Sequence, residues 1–147
     1  MSVKDYKPVY IKFLFNASPE MIFDAWFKPA LMRQWLFVGP SSDIINIDIS
    51  PEIRGRFSIL ERDRDKGEYI DHYGEFLEIV RPRRIVFTLS VPKQFSGETC
   101  VVIEIVSVTI GVSELKLTQT GVPAETTEGN WIAMFERLKT VVEKSSV

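Results

Sequence analysis

From Asp43 to Thr120 the apolar residues return at every second position, and no stretch in between keeps a helical period. A strand pattern sustained that far without crossover helices specifies a meandering antiparallel sheet, because parallel neighbours need long connecting segments. Ile45, Ile47 and Ile49 alternate with Asn46 and Asp48. Pro51 and Gly55 interrupt, and Arg56 to Arg62 resumes with Phe57 and Ile59 inward. The charged run Arg62-Asp63-Arg64-Asp65-Lys66-Gly67 reads as a hairpin turn. Glu68 to Val80 is long for one strand and its apolar face switches, which places a bulge at Gly74. Arg84 to Val91 carries Ile85, Phe87 and Leu89 on one face, and Pro92 to Glu98 is loop. Thr99 to Val108 and Val112 to Thr120 form a hairpin whose inner set is Val101, Ile103, Ile105, Leu115 and Leu117.

The two ends differ from this middle. Val9 to Phe15 alternates as a strand. Ser18-Pro19-Glu20 then starts a helix, with Ser18 as cap, Pro19 at the first helical position and Glu20 at the positive dipole end. That helix presents Ile22, Ala25 and Trp26 and breaks near Pro29. A second short helix, Ala30 to Leu36, turns Leu31, Met32, Trp35 and Leu36 inward. From Glu125 to Lys144 the period returns to 3.6, with Trp131, Met134, Phe135, Leu138, Val141 and Val142 on one stripe. The chain therefore reads as an α+β fold over residues 1–147, in one domain: six to seven antiparallel strands, two short helices after the first strand and a long carboxy-terminal helix. A twisted sheet curls, and a helix about 10 Å wide cannot fill its whole concave face. A gap between helix and sheet is expected.

Composition removes several classes of function. The chain has 147 residues with a net charge of −2 and no basic cluster, so nucleic acid is not an expected partner. No apolar run approaches the roughly 20 residues that span a membrane, and the amino terminus lacks the apolar stretch of a signal peptide. A single cysteine, Cys100, excludes an internal disulfide and fits a reducing compartment, the cytoplasm. The eight glycines lack the spacing of a phosphate or dinucleotide motif, and no cofactor is expected. One His and one Cys on different strands provide too few ligands for zinc, so no metal is expected.

The run from Ser18 to Leu36, Ser-Pro-Glu-Met-Ile-Phe-Asp-Ala-Trp-Phe-Lys-Pro-Ala-Leu-Met-Arg-Gln-Trp-Leu, resembles the helical opening of the activator-of-Hsp90-ATPase homologue (AHSA1-like) family. His72-Tyr73-Gly74-Glu75-Phe76-Leu77-Glu78-Ile79, Pro82-Arg83-Arg84-Ile85-Val86-Phe87-Thr88, Leu115 to Gly121 and the Trp131 helix agree with it. The family belongs to the START-like (SRPBCC), helix-grip superfamily, so the resemblance implies a curved sheet wrapped on the last helix. Similar proteins include lipid carriers and polyketide cyclases, which implies a small hydrophobic or aromatic ligand. The chain departs from the family's habits at Ile53-Arg54-Gly55-Arg56-Phe57, where paired glycines are usual, and at Gly129-Asn130-Trp131, where Gly-Trp is usual. The additional domain of the eukaryotic Hsp90 co-chaperone has no counterpart in these 147 residues, so a chaperone partner is not expected from the resemblance. A homodimer is allowed by analogy alone.

His72, the single histidine, points into the gap if it follows the parity of Ile70 and Phe76, where it is a candidate acid, base or ligand anchor. The alternative is a hydrogen-bonded structural histidine. Cys100 has no base beside it and reads as packing. Glu75 and Glu78 fall on opposite faces of a regular strand and make a poor acid–base pair. Arg54 and Arg56 flank Gly55, and either could reach an anionic head group. The candidate ligand-binding set is Trp35, Phe37, Arg56, Phe57, His72, Phe76, Phe87, Trp131, Met134 and Phe135: a mostly apolar wall with one or two polar groups. Three functions are consistent with it: a binder of a small hydrophobic molecule, a cyclase or hydrolase using His72, and a protein-interaction module.

Overall fold

The computed structural model describes residues 7–145. Residues 1–6 and 146–147, among them most of the amino-terminal stretch expected to hold no signal peptide, lie outside the described residues. Strand β1 (Val9–Phe15) leads into α1 (Pro19–Asp24) and α2 (Pro29–Trp35). Six strands follow: β2 (Ser42–Ile49), β3 (Arg56–Asp63), β4 (Glu68–Val80), β5 (Arg84–Leu89), β6 (Thr99–Thr109) and β7 (Val112–Thr120). Helix α3 (Ala124–Ser145) closes the chain. The strands make one antiparallel sheet in the order β1-β7-β6-β5-β4-β3-β2, and α3 lies across it in the helix-grip arrangement. Consecutive strands pair because every link from β2 to β7 is a hairpin or short loop.

Local chemistry explains the element ends. The Met21 amide donates to Ser18 Oγ at 3.3 Å, and Pro19 opens α1 as expected. Helix α2 begins at Pro29, one residue earlier than the spacing indicated. Strand β5 is regular to Leu89; Ser90 still makes an antiparallel bridge with Tyr73, and Val91 begins the following loop.

The switch of face in β4 has a different origin from the one expected. The β4–β5 register slips between Phe76 and Glu78, so the bulged residue is Leu77. Gly74 is in regular register with Phe57, and its role is close approach: a Cβ there would run into the carbonyl oxygen of Thr88 and lie 2.9 Å from the Phe57 ring. A second bulge, not anticipated, lies at Ile45 in β2. It turns Ile45 out to 42% exposure and leaves Ile44 facing the core in its place.

One apolar cluster draws on every strand and every helix. Burying a large side chain of this kind contributes about 1.5–3 kcal/mol. Its centre is aromatic: Phe135, fully buried, lies 5.7 Å from Trp131, 5.8 Å from Phe13 and 6.3 Å from Trp35 between ring centroids. Among the described residues no helix is long and apolar enough to cross a membrane.

Candidate functional site

The helix does not fill the sheet's concave face. A cavity of about 210 Å³ remains between the first half of α3, the segment 37–40, the loop after β5 and the inner faces of β3, β4, β5 and β7. An apolar cavity of roughly 150 Å³ already admits a benzene ring. The floor and walls are Leu89, Val91, Phe37, Trp131 and Met134, and exposed Gln94, Asn130 and Pro40 stand at the mouth.

Three polar side chains, Glu61, His72 and Gln119, break this lining from the sheet, and half-buried Thr127 and Arg137 add to them from α3. Glu61 and His72 face inward from β3 and β4, diagonally across the register that pairs Ile59 with His72. His72 Nε2 lies 2.9 Å from Glu61 Oε1, with the imidazole 3% and the carboxylate 12% exposed as side chains. An ionised carboxylate only accepts, so Nε2 carries the proton and donates. His72 Nδ1 is buried without a hydrogen-bond partner. The imidazole is stacked on the Phe37 ring at 4.1 Å and 8°.

Gln119 is the third. It continues the inward row of Leu115 and Leu117 on β7 and is 1% exposed. Trp131 Nε1 donates to its Oε1 at 2.8 Å, its Nε2 donates to Thr99 Oγ1 at 3.0 Å, and the Thr99 hydroxyl donates to the Leu89 carbonyl at 2.8 Å. This chain of buried bonds fixes the Trp131 indole against the cavity.

Phe37 is held in an uncommon backbone state. Its φ is 60°, a region costly for a bulky residue, and its amide donates to Met134 Sδ at 3.1 Å. Backbone strain of this sort persists where the surroundings over-determine it, here through α3 and the imidazole stack.

Of the candidate set, Phe37, His72, Trp131 and Met134 are brought together on the cavity wall. Phe57, Phe76 and Phe87 instead enclose a much smaller apolar void of about 20 Å³ under α2. Trp35 and Phe135 are fully buried packing, and Trp35 Nε1 donates to the Ala25 carbonyl at 3.1 Å. Arg56 alternates with buried Phe57 and stands exposed on the outer face beside Asp48, Ser58 and Tyr73. Arg54 pairs with Glu75 at 3.2 Å, and Glu78 pairs with Arg84 at 2.9 Å. Burial, with Glu98 nearby, pushes the Cys100 thiol above its usual value, away from the thiolate form. Sequence reasoning missed Glu61 and Gln119. Their signal was available: each is a polar residue at the parity of an inward apolar row.

Solved structures share this architecture. Protein CV1439 from Chromobacterium violaceum superposes with a TM-score of 0.85 at 20% identity, over 92% of this chain and 96% of that one. Protein SA2116 from Staphylococcus aureus gives 0.79 at 18% identity, over 97% and 98%. The AHSA1-like protein from Aeromonas hydrophila gives 0.75 at 16% identity, over 94% of each chain. No curated protein sequence matches significantly. The sequence profile described as "Activator of Hsp90 ATPase homolog 1-like protein" matches residues 16–143, almost the whole chain. The chain belongs to the activator of Hsp90 ATPase homolog 1-like family.

Proposed function

We propose that the protein binds a small aromatic or hydrophobic molecule in the cavity between α3 and the sheet. The observation that carries this is a cavity in which apolar Phe37, Leu89, Val91, Trp131 and Met134 surround the Glu61–His72 pair and the Gln119 amide, with Arg137 and Thr127 also on the lining. Apolar surface supplies the affinity, and a few fixed polar groups choose the ligand. The ligand that suits them has a hydroxyl or amide at one end: it donates to the Glu61 carboxylate or bonds to Gln119.

Native mass spectrometry of freshly purified protein, followed by denaturation, is the first test. The expected result is a stoichiometric mass excess that denaturation releases. 1-Naphthol serves as a probe where no ligand is retained, and it should quench Trp131. Glu61→Gln should weaken naphthol about tenfold or more, as expected on removing a charge-assisted hydrogen bond. A bare mass together with no naphthol binding sinks the proposal.

The 2.9 Å contact between His72 and Glu61 also favours a second reading, in which the carboxylate orients the imidazole as a general base. A retained molecule would then change mass on incubation with the protein and stay unchanged with His72→Asn. Binding that persists with no chemical change rejects this reading and leaves the first in place.

A further inference from the structure

Among the described residues two arginines are half-buried rather than exposed, and their partners differ in kind. Arg84 lies between two carboxylates, with Nε 2.9 Å from Glu78 and Nη1 3.1 Å from Glu104. Arg137 has no carboxylate within ion-pairing distance among the described residues. Its Nη1 donates instead to the Ala133 carbonyl, one turn back along α3, at 3.3 Å. That is a long bond, and to a neutral acceptor. A guanidinium drawn partly out of water gains most from a carboxylate or a similar anion, which its planar fork meets with two parallel bonds. The chain supplies such a group to Arg84 and none to Arg137.

The bond to Ala133 also places the charge. Arg137 and Ala133 both line the cavity, as does Asn130, and the three recur at a spacing that keeps them on one face of the helix. Asn130 and Ala133 are exposed, whereas Trp131 and Met134 on the same helix are buried, so the three form the solvent-side lip of the cavity. The guanidinium is therefore at the lip, beside Ala133. Glu61 stands on the sheet side, on β3, where it accepts the His72 proton. The cavity thus carries a carboxylate on its sheet wall and a cation on its helix lip, with Leu89, Val91, Trp131 and Met134 as apolar surface.

Resting on the reading of the cavity as a ligand site, we propose that the ligand is a hydroxylated aromatic carboxylic acid whose carboxylate is held by Arg137 at the lip. Its ring packs on the apolar surface, and its hydroxyl donates to Glu61. Arg137 exchanges its long bond to the Ala133 carbonyl for a forked one to the acid. The two charges also fix the orientation, because an acid entering the other way round would set its carboxylate against that of Glu61. The competing account is that Arg137 covers the lip with its alkyl stem alone and its charge recognises nothing.

Two probes of similar shape separate these accounts: 6-hydroxy-2-naphthoic acid, ionised at neutral pH, and its uncharged methyl ester. By titration calorimetry at low salt the acid should bind about fivefold to tenfold tighter, and the margin should shrink as salt is raised. The Arg137 Nε–H resonance, assigned by its loss in Arg137→Gln, should move with the acid and stay in place with the ester. Arg137→Gln should bring the two affinities together, and Arg137→Lys should restore part of the margin, as a charge without the fork. The comparison of probes on the unaltered protein stands even if a variant folds poorly. An acid that binds no tighter than the ester, or that leaves the Arg137 resonance unmoved, overturns this inference and leaves the cavity as a site for neutral molecules. Binding of neither probe, nor of 1-naphthol, overturns both.

Discussion

At Gly74 the backbones of β4 and β5 are so close that a methyl group there would collide with the Thr88 carbonyl. The strands are tied by Tyr73 and Ser90 on one side and by Phe76 and Phe87 on the other, so neither backbone has room to retreat. Gly74→Ala is expected to cost about 3 kcal/mol, in the range of overpacked core positions, by urea denaturation. A loss below about 0.5 kcal/mol would show that the strands part freely. At this scale the sequence was informative about what is buried and poor about why. Trp35, Phe57, Phe76, Phe87 and Phe135 are all buried, yet a large ring reads the same in a sequence whether it fills space or borders it. Glu61 and Gln119 were the more telling letters, because a polar residue in an inward row must meet a partner or a ligand.

Elements are joined by contacts between segments far apart in sequence. Arg81, between β4 and β5, grips Asp24 at the end of α1 through two bonds, Nε to Oδ1 at 3.0 Å and Nη2 to Oδ2 at 2.9 Å. That bidentate bond, above all, holds the Asp24 carboxyl below its usual value of 3.8. A carboxyl with a depressed folded value contributes stability that is fully present above about 3.8 and is lost as pH falls through the folded value. A proton titration by NMR should therefore place Asp24 below 3.8, and Arg81→Gln should return it toward 3.8 and flatten the acid side of the stability curve. An Asp24 titration unchanged in that variant would mean the grip is not made in solution. Element order and type were legible from period alone, whereas the bulges at Ile45 and Leu77 were not. A bulge is a property of two strands in register, and the single-strand pattern around Gly74 pointed three residues away from the real one.

Across the whole molecule, the apolar cluster includes every strand and helix, so no part can leave without exposing core. Unfolding is expected in one step, with tryptophan fluorescence and far-ultraviolet circular dichroism giving coincident denaturation curves. Separated curves would reveal a part that unfolds independently. The strand order carries a different consequence. β1 and β2 follow each other in the chain apart from α1 and α2, yet they are the two opposite margins of the sheet. The two short helices are therefore a strap across the full width of a curved sheet. A change in the length of that strap is expected to alter how tightly the sheet rolls while leaving the strand pairings in place. Descendants of such a chain have a mutational dial for the size of what they enclose, set in a segment that leaves the pairing of the sheet alone.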